Sequence, residues 1–144
     1  MNILVVDDCD MMCVAIGEYL AEKLPDADLN YAYDGDEALR RIAELAPSLV
    51  ILNIVMQGKT GFDVLAQVRA NGNDVPVLLT SGYAEEEVYR RGTLEDERVR
   101  FLCKPFKWDT FMATTKELLS IGASRGWIIR GAPVASITWR LASM

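Results

Sequence analysis

The stretch that most constrains the fold is an unbroken apolar run over residues 49–52, which ends on a polar residue, Asn53. Such a run is typical of a strand buried on both faces, as in a parallel sheet covered by helices. A loop punctuated by Gly58 and Gly61 follows. In open α/β sheets, ligands bind just beyond the carboxyl ends of the strands. We therefore expect Asn53 to lie at the centre of the functional site.

Strand-like and helix-like patterns alternate along the chain. Short apolar or alternating runs predict strands over 3–6, 28–33, 49–52, 75–80 and 99–103. Helical periodicity and capping residues predict helices over 10–24, 37–46, 62–70, from 85 onward, and from 108 to about 121. Alternation of this kind predicts an α/β fold with right-handed crossovers. We expect a flavodoxin-like, doubly wound, five-stranded parallel sheet of order 2-1-3-4-5 with helices on both faces.

Composition limits the class of protein. The 144 residues suffice for one domain with a proper core, and no apolar run approaches the roughly 20 residues that span a bilayer. The N-terminus lacks the basic segment of a signal peptide, so we expect a cytoplasmic protein. Three cysteines without a repeated spacing do not form a disulfide framework, and histidine is absent. Cys9 and Cys13 are interpreted as small buried side chains rather than zinc ligands.

Charge is unevenly distributed along the chain. Residues 1–122 hold 12 basic and 21 acidic side chains, whereas residues 123–144 hold three arginines and no acidic residue. An acidic body argues against nonspecific nucleic-acid binding, which needs a basic surface. We therefore predict one domain over 1–122 and a C-terminal extension over 123–144 of different composition.

Polar residues follow the predicted strands at one edge of the sheet. Asp7 and Asp8 follow the first strand, Asn53 the third, Ser81 the fourth and Lys104 the fifth. Carboxylates without a histidine or thiol partner suit a hard cation such as Mg²⁺. A lysine and a hydroxyl would stabilise the oxygens of a transferred phosphoryl group. A carboxylate at position 53 would complete the set as the nucleophile for an acyl phosphate.

Over about residues 1–122 the chain resembles the receiver domains of two-component response regulators. The resemblance rests on four ordered motifs: VVDD at 5–8, NIVMQGKTG at 53–61, VLLTSGY at 77–83 and FLCKPF at 101–106. The last two look most like receivers attached to hybrid histidine kinases. The resemblance implies a phosphorelay module that a histidine kinase or phosphotransfer protein phosphorylates and that switches the binding of a downstream protein effector. It implies no enzymatic turnover.

The resemblance also implies roles for individual residues. Mg²⁺ would be held by Asp7, Asp8, position 53 and the backbone carbonyl of Val55. Lys104 would pair with the phosphoryl group or the acceptor side chain, and the Lys104–Pro105 peptide bond would be cis. The switch pair would be Ser81 and Phe101, the hydroxyl moving toward the phosphoryl group as the ring turns inward.

Two residues depart from the family pattern. Gln57 replaces the usual proline after Met56, and Asn53 replaces the phosphoacceptor aspartate. An amide has no charge and cannot serve as the nucleophile, and we expect its presence to weaken Mg²⁺ binding. Asn53 is thus expected to disable phosphorylation, either as an engineered Asp→Asn change or in a natural receiver that works without phosphorylation.

Two alternatives remain open from the sequence. Residues 124–144 match nothing in the family: they form either a disordered or artificial extension, or an added edge strand or homodimer contact, with residues 127–129 and 137–141 pairing as a hairpin. The rival function is a small phosphohydrolase of the haloacid dehalogenase type that would use Asp8 and Asp10. That family requires a threonine shortly afterwards, and Met12 does not provide it.

Overall fold

Five parallel strands form a single sheet in this computed structural model, which describes residues 1–82 and 85–129. The strands are β1 Asn2–Val6, β2 Asp28–Ala32, β3 Leu49–Asn53, β4 Val77–Ser81 and β5 Val99–Cys103. The helices are α1 Asp10–Lys23, α2 Gly35–Leu45, α3 Gly61–Ala70, α4 Glu85–Arg90 and α5 Trp108–Ile129, with a 3-10 turn at Thr93–Glu95. The strand order, β2-β1-β3-β4-β5, confirms the predicted flavodoxin-like topology.

Alternate residues of the central strands enter two separate cores. On one face of the sheet, Leu4 and Val6 of β1 pack with side chains of α2, α3 and α4. On the other face, Ile3 and Val5 pack with side chains of α1 and α5. Every residue of β3 and of β4 is buried. The continuous apolar run at 49–52 is therefore explained by helices on both faces of the sheet.

Several element boundaries differ from the sequence prediction, most of them by one or two residues. Strand β4 begins at Val77 rather than at 75, and Pro76, which has no backbone N–H, lies just before it. Helix α5 extends to Ile129 and crosses the predicted boundary between 122 and 123 without a break.

The predicted hairpin is wrong in its first half, because residues 127–129 are helical. An apolar run as short as these three residues does not distinguish a helix from a strand. The second half, residues 137–141, lies outside the described residues.

Candidate functional site

Three side chains meet beyond the carboxyl ends of the sheet, where the strand-end pattern placed them. Asp7 directly follows β1, Asn53 is the last residue of β3, and Lys104 directly follows β5. Asp7 and Asn53 are only 2% and 7% exposed, although both are polar. Buried polar groups require hydrogen-bond partners. Each of these side chains finds them among the other two.

Lys104 connects the other two members of the site. Its Nζ donates a hydrogen bond to Asp7 Oδ2 at 2.8 Å and another to Asn53 Oδ1 at 3.1 Å. The contact with Asp7 is also an ion pair in which the carboxylate side chain is 3% exposed and the lysine side chain 21%. The ammonium group therefore neutralises the buried carboxylate and fixes the direction of the Asn53 carbonyl.

The amino end of the Asn53 amide points at the oxygens that the family pattern assigns to a metal. Asn53 Nδ2 donates to the backbone carbonyl of Val55 at 2.7 Å and, more weakly, to Asp7 Oδ1 at 3.4 Å. The amide is thus used at both ends, as donor on one side and as acceptor from Lys104 on the other. A carboxylate has no hydrogen to donate to Val55 or to an ionised Asp7, so this arrangement is specific to asparagine.

Two cysteines hold Asp7 in position, a role that the sequence analysis missed. The backbone N–H of Cys9 donates to Asp7 Oδ1 at 2.9 Å, and the Cys13 thiol contacts the Asp7 carbonyl oxygen at 3.5 Å. Cys13 is buried, and burial raises the pKa of its thiol to about 11, so it stays neutral and donates. Cys9 is exposed, so the prediction that both cysteines are buried is wrong for Cys9. The short separation of Cys13 from Asp7, six residues along the chain, was the only signal available.

The remaining predicted site residues lie around this network. Asp8 is exposed, beside the buried Asp7. Ser81 ends β4 and is 1% exposed, and its carbonyl accepts from the Lys104 backbone N–H at 2.7 Å. Phe101 lies on β5 opposite Leu79 and packs, partly buried, against the core on the α2–α4 face. The Lys104–Pro105 peptide bond is cis, as predicted.

The loop after Asn53 approaches the site closely at Gly61. A Cβ atom on Gly61 would lie 2.6 Å from the Asn53 carbonyl oxygen and 2.9 Å from Ile54 Cα. The Gly61 N–H also donates to the Ile54 carbonyl at 2.8 Å. Helix α3 begins here with a capping box between Thr60 and Asp63, which pins the end of the loop. Glycine at this position lets the loop return directly against the strand end.

The residues present do not fit Mg²⁺ in the arrangement that the structure shows. The carbonyl of Val55 and Oδ1 of Asp7 both face Asn53 Nδ2, and Oδ2 of Asp7 faces the Lys104 ammonium. A cation at those oxygens would compete with the Asn53 N–H group, which already donates to them and directs positive charge at them. Among the described residues, no three acidic or cysteine side chains are grouped as metal ligands.

Comparison with known proteins identifies the family. The sequence pattern of the response regulator receiver domain matches residues 3–116, most of the chain. The chain belongs to the response regulator receiver domain family. The resemblance proposed from the four motifs is thereby confirmed, and the phosphohydrolase alternative with Asp8 and Asp10 is not favoured. Across residues 1–82 and 85–129, none of the helices has the length and apolar composition of a transmembrane span.

Relatives and solved structures agree with this receiver assignment. The chain is 32% identical over 118 residues to the regulatory protein VanRB of Enterococcus faecalis, covering 82% of this chain and 52% of VanRB. This receiver therefore spans about half the length of that relative. The response regulator TrrA of Thermotoga maritima, solved in complex with Mg²⁺-BeF, is 29% identical with a TM-score of 0.68, covering 81% of this chain and 97% of TrrA. The chemotaxis protein CheY4 of Vibrio cholerae is 24% identical with a TM-score of 0.72, covering 81% of this chain and 97% of CheY4. At this identity, the match supports the fold alone.

Proposed function

We propose that this receiver acts in two-component signalling through protein contacts, with a phosphoacceptor position that Asn53 keeps closed. The observation that carries the proposal is the position of the Asn53 amide. Its Nδ2 donates to the Val55 carbonyl at 2.7 Å, while its Oδ1 accepts from Lys104 at 3.1 Å. The side chain at the phosphoacceptor position and the oxygens that would bind a cation are thus hydrogen-bonded within the site itself.

The chemistry of the side chain supports the same conclusion. Formation of an acyl phosphate requires an anionic carboxylate oxygen that attacks phosphorus. The Asn53 oxygen is a neutral amide acceptor, and it is already engaged by the lysine that would otherwise stabilise the phosphoryl oxygens. Mg²⁺ bound here would supply neutralisation of the phosphoryl oxygens, but the hydrogen bonds of Asn53 compete with it for Val55 and Asp7.

The hydrogen bonds of Lys104 hold the site in one arrangement. Lys104 is held by Asp7 and Asn53 through its side chain and by the Ser81 carbonyl through its backbone. Because Asn53 forms no acyl phosphate, nothing at this position draws the Ser81 hydroxyl or the Phe101 ring into a second arrangement. The receiver would then present one constant surface to a histidine kinase, to a phosphotransfer protein or to a downstream protein effector.

The test is phosphorylation of the full chain by a small phosphodonor with Mg²⁺, read by intact mass. We expect no acyl phosphate on the chain as it stands and an acyl phosphate on the Asn53→Asp variant. The matched control is Asn71→Asp, the same change at an exposed residue that ends α3. A phosphorylated Asn53 chain would overturn the proposal, and an unphosphorylated Asn53→Asp variant would show that more than Asn53 closes the site.

A further inference from the structure

A groove runs between α1 and β2 on the side of the sheet away from β5. Its volume is about 310 Å³, and its lining is mainly apolar and aromatic: Cys13, Val14, Gly17, Leu29, Tyr31 and Tyr33. Val14 is 56% and Tyr33 44% exposed, so large side chains here remain open to solvent. Gly17 permits close packing of α1 on β2, since a Cβ would lie 2.2 Å from the Tyr31 hydroxyl.

The groove adjoins an open edge of the sheet. Strand β2 is an edge strand of the described sheet: it pairs with β1 on one side and with no described strand on the other. The backbone N–H of Asp28 donates inward to Met1, and alternation along the strand then turns the N–H groups of Leu29 and Tyr31 outward. An open edge beside an apolar groove is the arrangement that accepts an extended segment.

The edge formed by α1 and β2 is acidic. Residues 10–32, which make up α1, β2 and the turn between them, hold five acidic side chains and one basic side chain, Lys23. Glu18 itself lines the groove. A segment that binds here should therefore be apolar and basic.

The C-terminal residues of this chain have that composition. Residues 130–144 carry Arg130 and Arg140, no acidic side chain, and the apolar residues Ile137, Trp139 and Leu141. Fifteen residues reach about 50 Å when extended, which exceeds the roughly 30 Å diameter of a small domain. The groove is thus within reach of the end of α5 at Ile129.

Charge distinguishes the two edges of the sheet. At the opposite edge, Arg98, Arg100 and Lys104 each form an ion pair, with Asp74, Glu117 and Asp7 in turn. That edge therefore carries little net charge, and a basic segment is attracted more strongly to β2. We propose that residues 130–144 dock in the groove between α1 and β2 of the same chain.

The test uses the full chain with a spin label at Ser143→Cys, in a background of Cys9→Ser and Cys103→Ser. Cys13 is retained because it is buried and its raised pKa keeps it unreactive. We expect loss of NMR signal intensity at the amides of Val14, Tyr31 and Tyr33, and no loss at β5. Loss at β5, or no localised loss, would overturn the proposal.

Two further measurements keep the result decisive. The double reversal Glu18→Lys with Glu22→Lys should restore the lost intensity. The control Lys107→Glu with Lys116→Glu reverses an exposed pair of opposite sign just before and within α5, and it should not. Signal loss that persists unchanged in the first variant would contradict the role of charge. Mixing labelled chain with isotopically enriched unlabelled chain separates the two geometries: signal loss in the mixture would mean that a second copy, and not the same chain, fills the groove.

Discussion

The side-chain amide of Asn53 donates a hydrogen bond to the backbone carbonyl of Val55, two residues further along the chain, at 2.7 Å. This bond holds the start of the loop that follows β3 against the last residue of the strand. It also directs a hydrogen atom at the carbonyl that the family pattern gives to a cation. One change of side-chain chemistry therefore alters both the nucleophile and the ligand set.

Replacement of Asn53 by aspartate should strengthen Mg²⁺ binding. The carboxylate removes the N–H group from between Val55 and Asp7 and adds a negative charge to the oxygens there. We expect the dissociation constant to fall at least about tenfold, equivalent to about 1.4 kcal/mol. Calorimetric titration with Mg²⁺ measures this. Gln57→Glu, which adds the same charge at an exposed position of the same loop, should change it little; equal effects of the two variants would contradict the prediction.

Removal of the Lys104 ammonium should destabilise the fold. Asp7 is 2% exposed, and Lys104→Met would leave its buried carboxylate without a counter-charge. We expect the free energy of unfolding to fall by about 3 kcal/mol in urea titrations. Lys107→Met, at an exposed neighbouring position, should change it by less than about 0.5 kcal/mol. Addition of Asp7→Asn to Lys104→Met should recover part of the loss, and full additivity of the two changes would argue against the ion pair.

Substitution of Gly61, which contacts the site only through backbone atoms, should displace Asn53. Its Cβ would meet backbone atoms of Asn53 and Ile54, which cannot move as a side-chain end could. We expect Gly61→Ala to lower the free energy of unfolding by about 1–3 kcal/mol and to shift the NMR signals of the Asn53 side-chain amide. Gly82→Ala, where nothing lies within 4 Å, is the control. Unchanged Asn53 signals in Gly61→Ala would refute the close approach.

Acid should weaken the link between α3 and the segment before β5. Burial alone would raise the pKa of Asp96, but its hydrogen bonds from Arg69 and from the Arg98 backbone outweigh burial and hold that pKa below its usual 3.8. A carboxyl whose pKa is lowered by folding adds stability above about pH 4 and loses it as the pH falls through the folded value. Urea unfolding between pH 6 and pH 2 should show this loss, reduced in Asp96→Asn and retained in Asp26→Asn, which alters an exposed carboxylate. An identical pH dependence in Asp96→Asn would contradict the assignment.

Much of the architecture follows from local pattern. The run at 49–52 predicted a strand covered on both faces, and the order of the elements predicted the parallel sheet. The meeting of Asp7, Asn53 and Lys104 was predictable because parallel strands bring their carboxyl ends to one edge. Helix α5 was predicted too short, since residues 127–129 carry no periodic signal that separates helix from strand.

The details of the site depend on geometry that a sequence does not contain. The rotation of the Asn53 amide toward Val55 depends on where Lys104 places its ammonium, about 50 residues away in the chain. The hydrogen bond from Cys13 to Asp7 depends on the turn between β1 and α1. In the sequence, Cys13 is indistinguishable from an ordinary buried cysteine. The roles of Ser81 and Phe101 as a switch pair remain a prediction.

The unequal placement of acidic residues has a consequence for any encounter with another molecule. Residues 10–32 carry four net negative charges on the edge formed by α1 and β2, and this asymmetry gives the domain an electric dipole moment. A dipole experiences a torque in the field of an approaching charged partner, so the domain is turned before contact. A basic partner would therefore meet the edge formed by α1 and β2 more often than chance, and this bias would fade as added salt shortens the screening length.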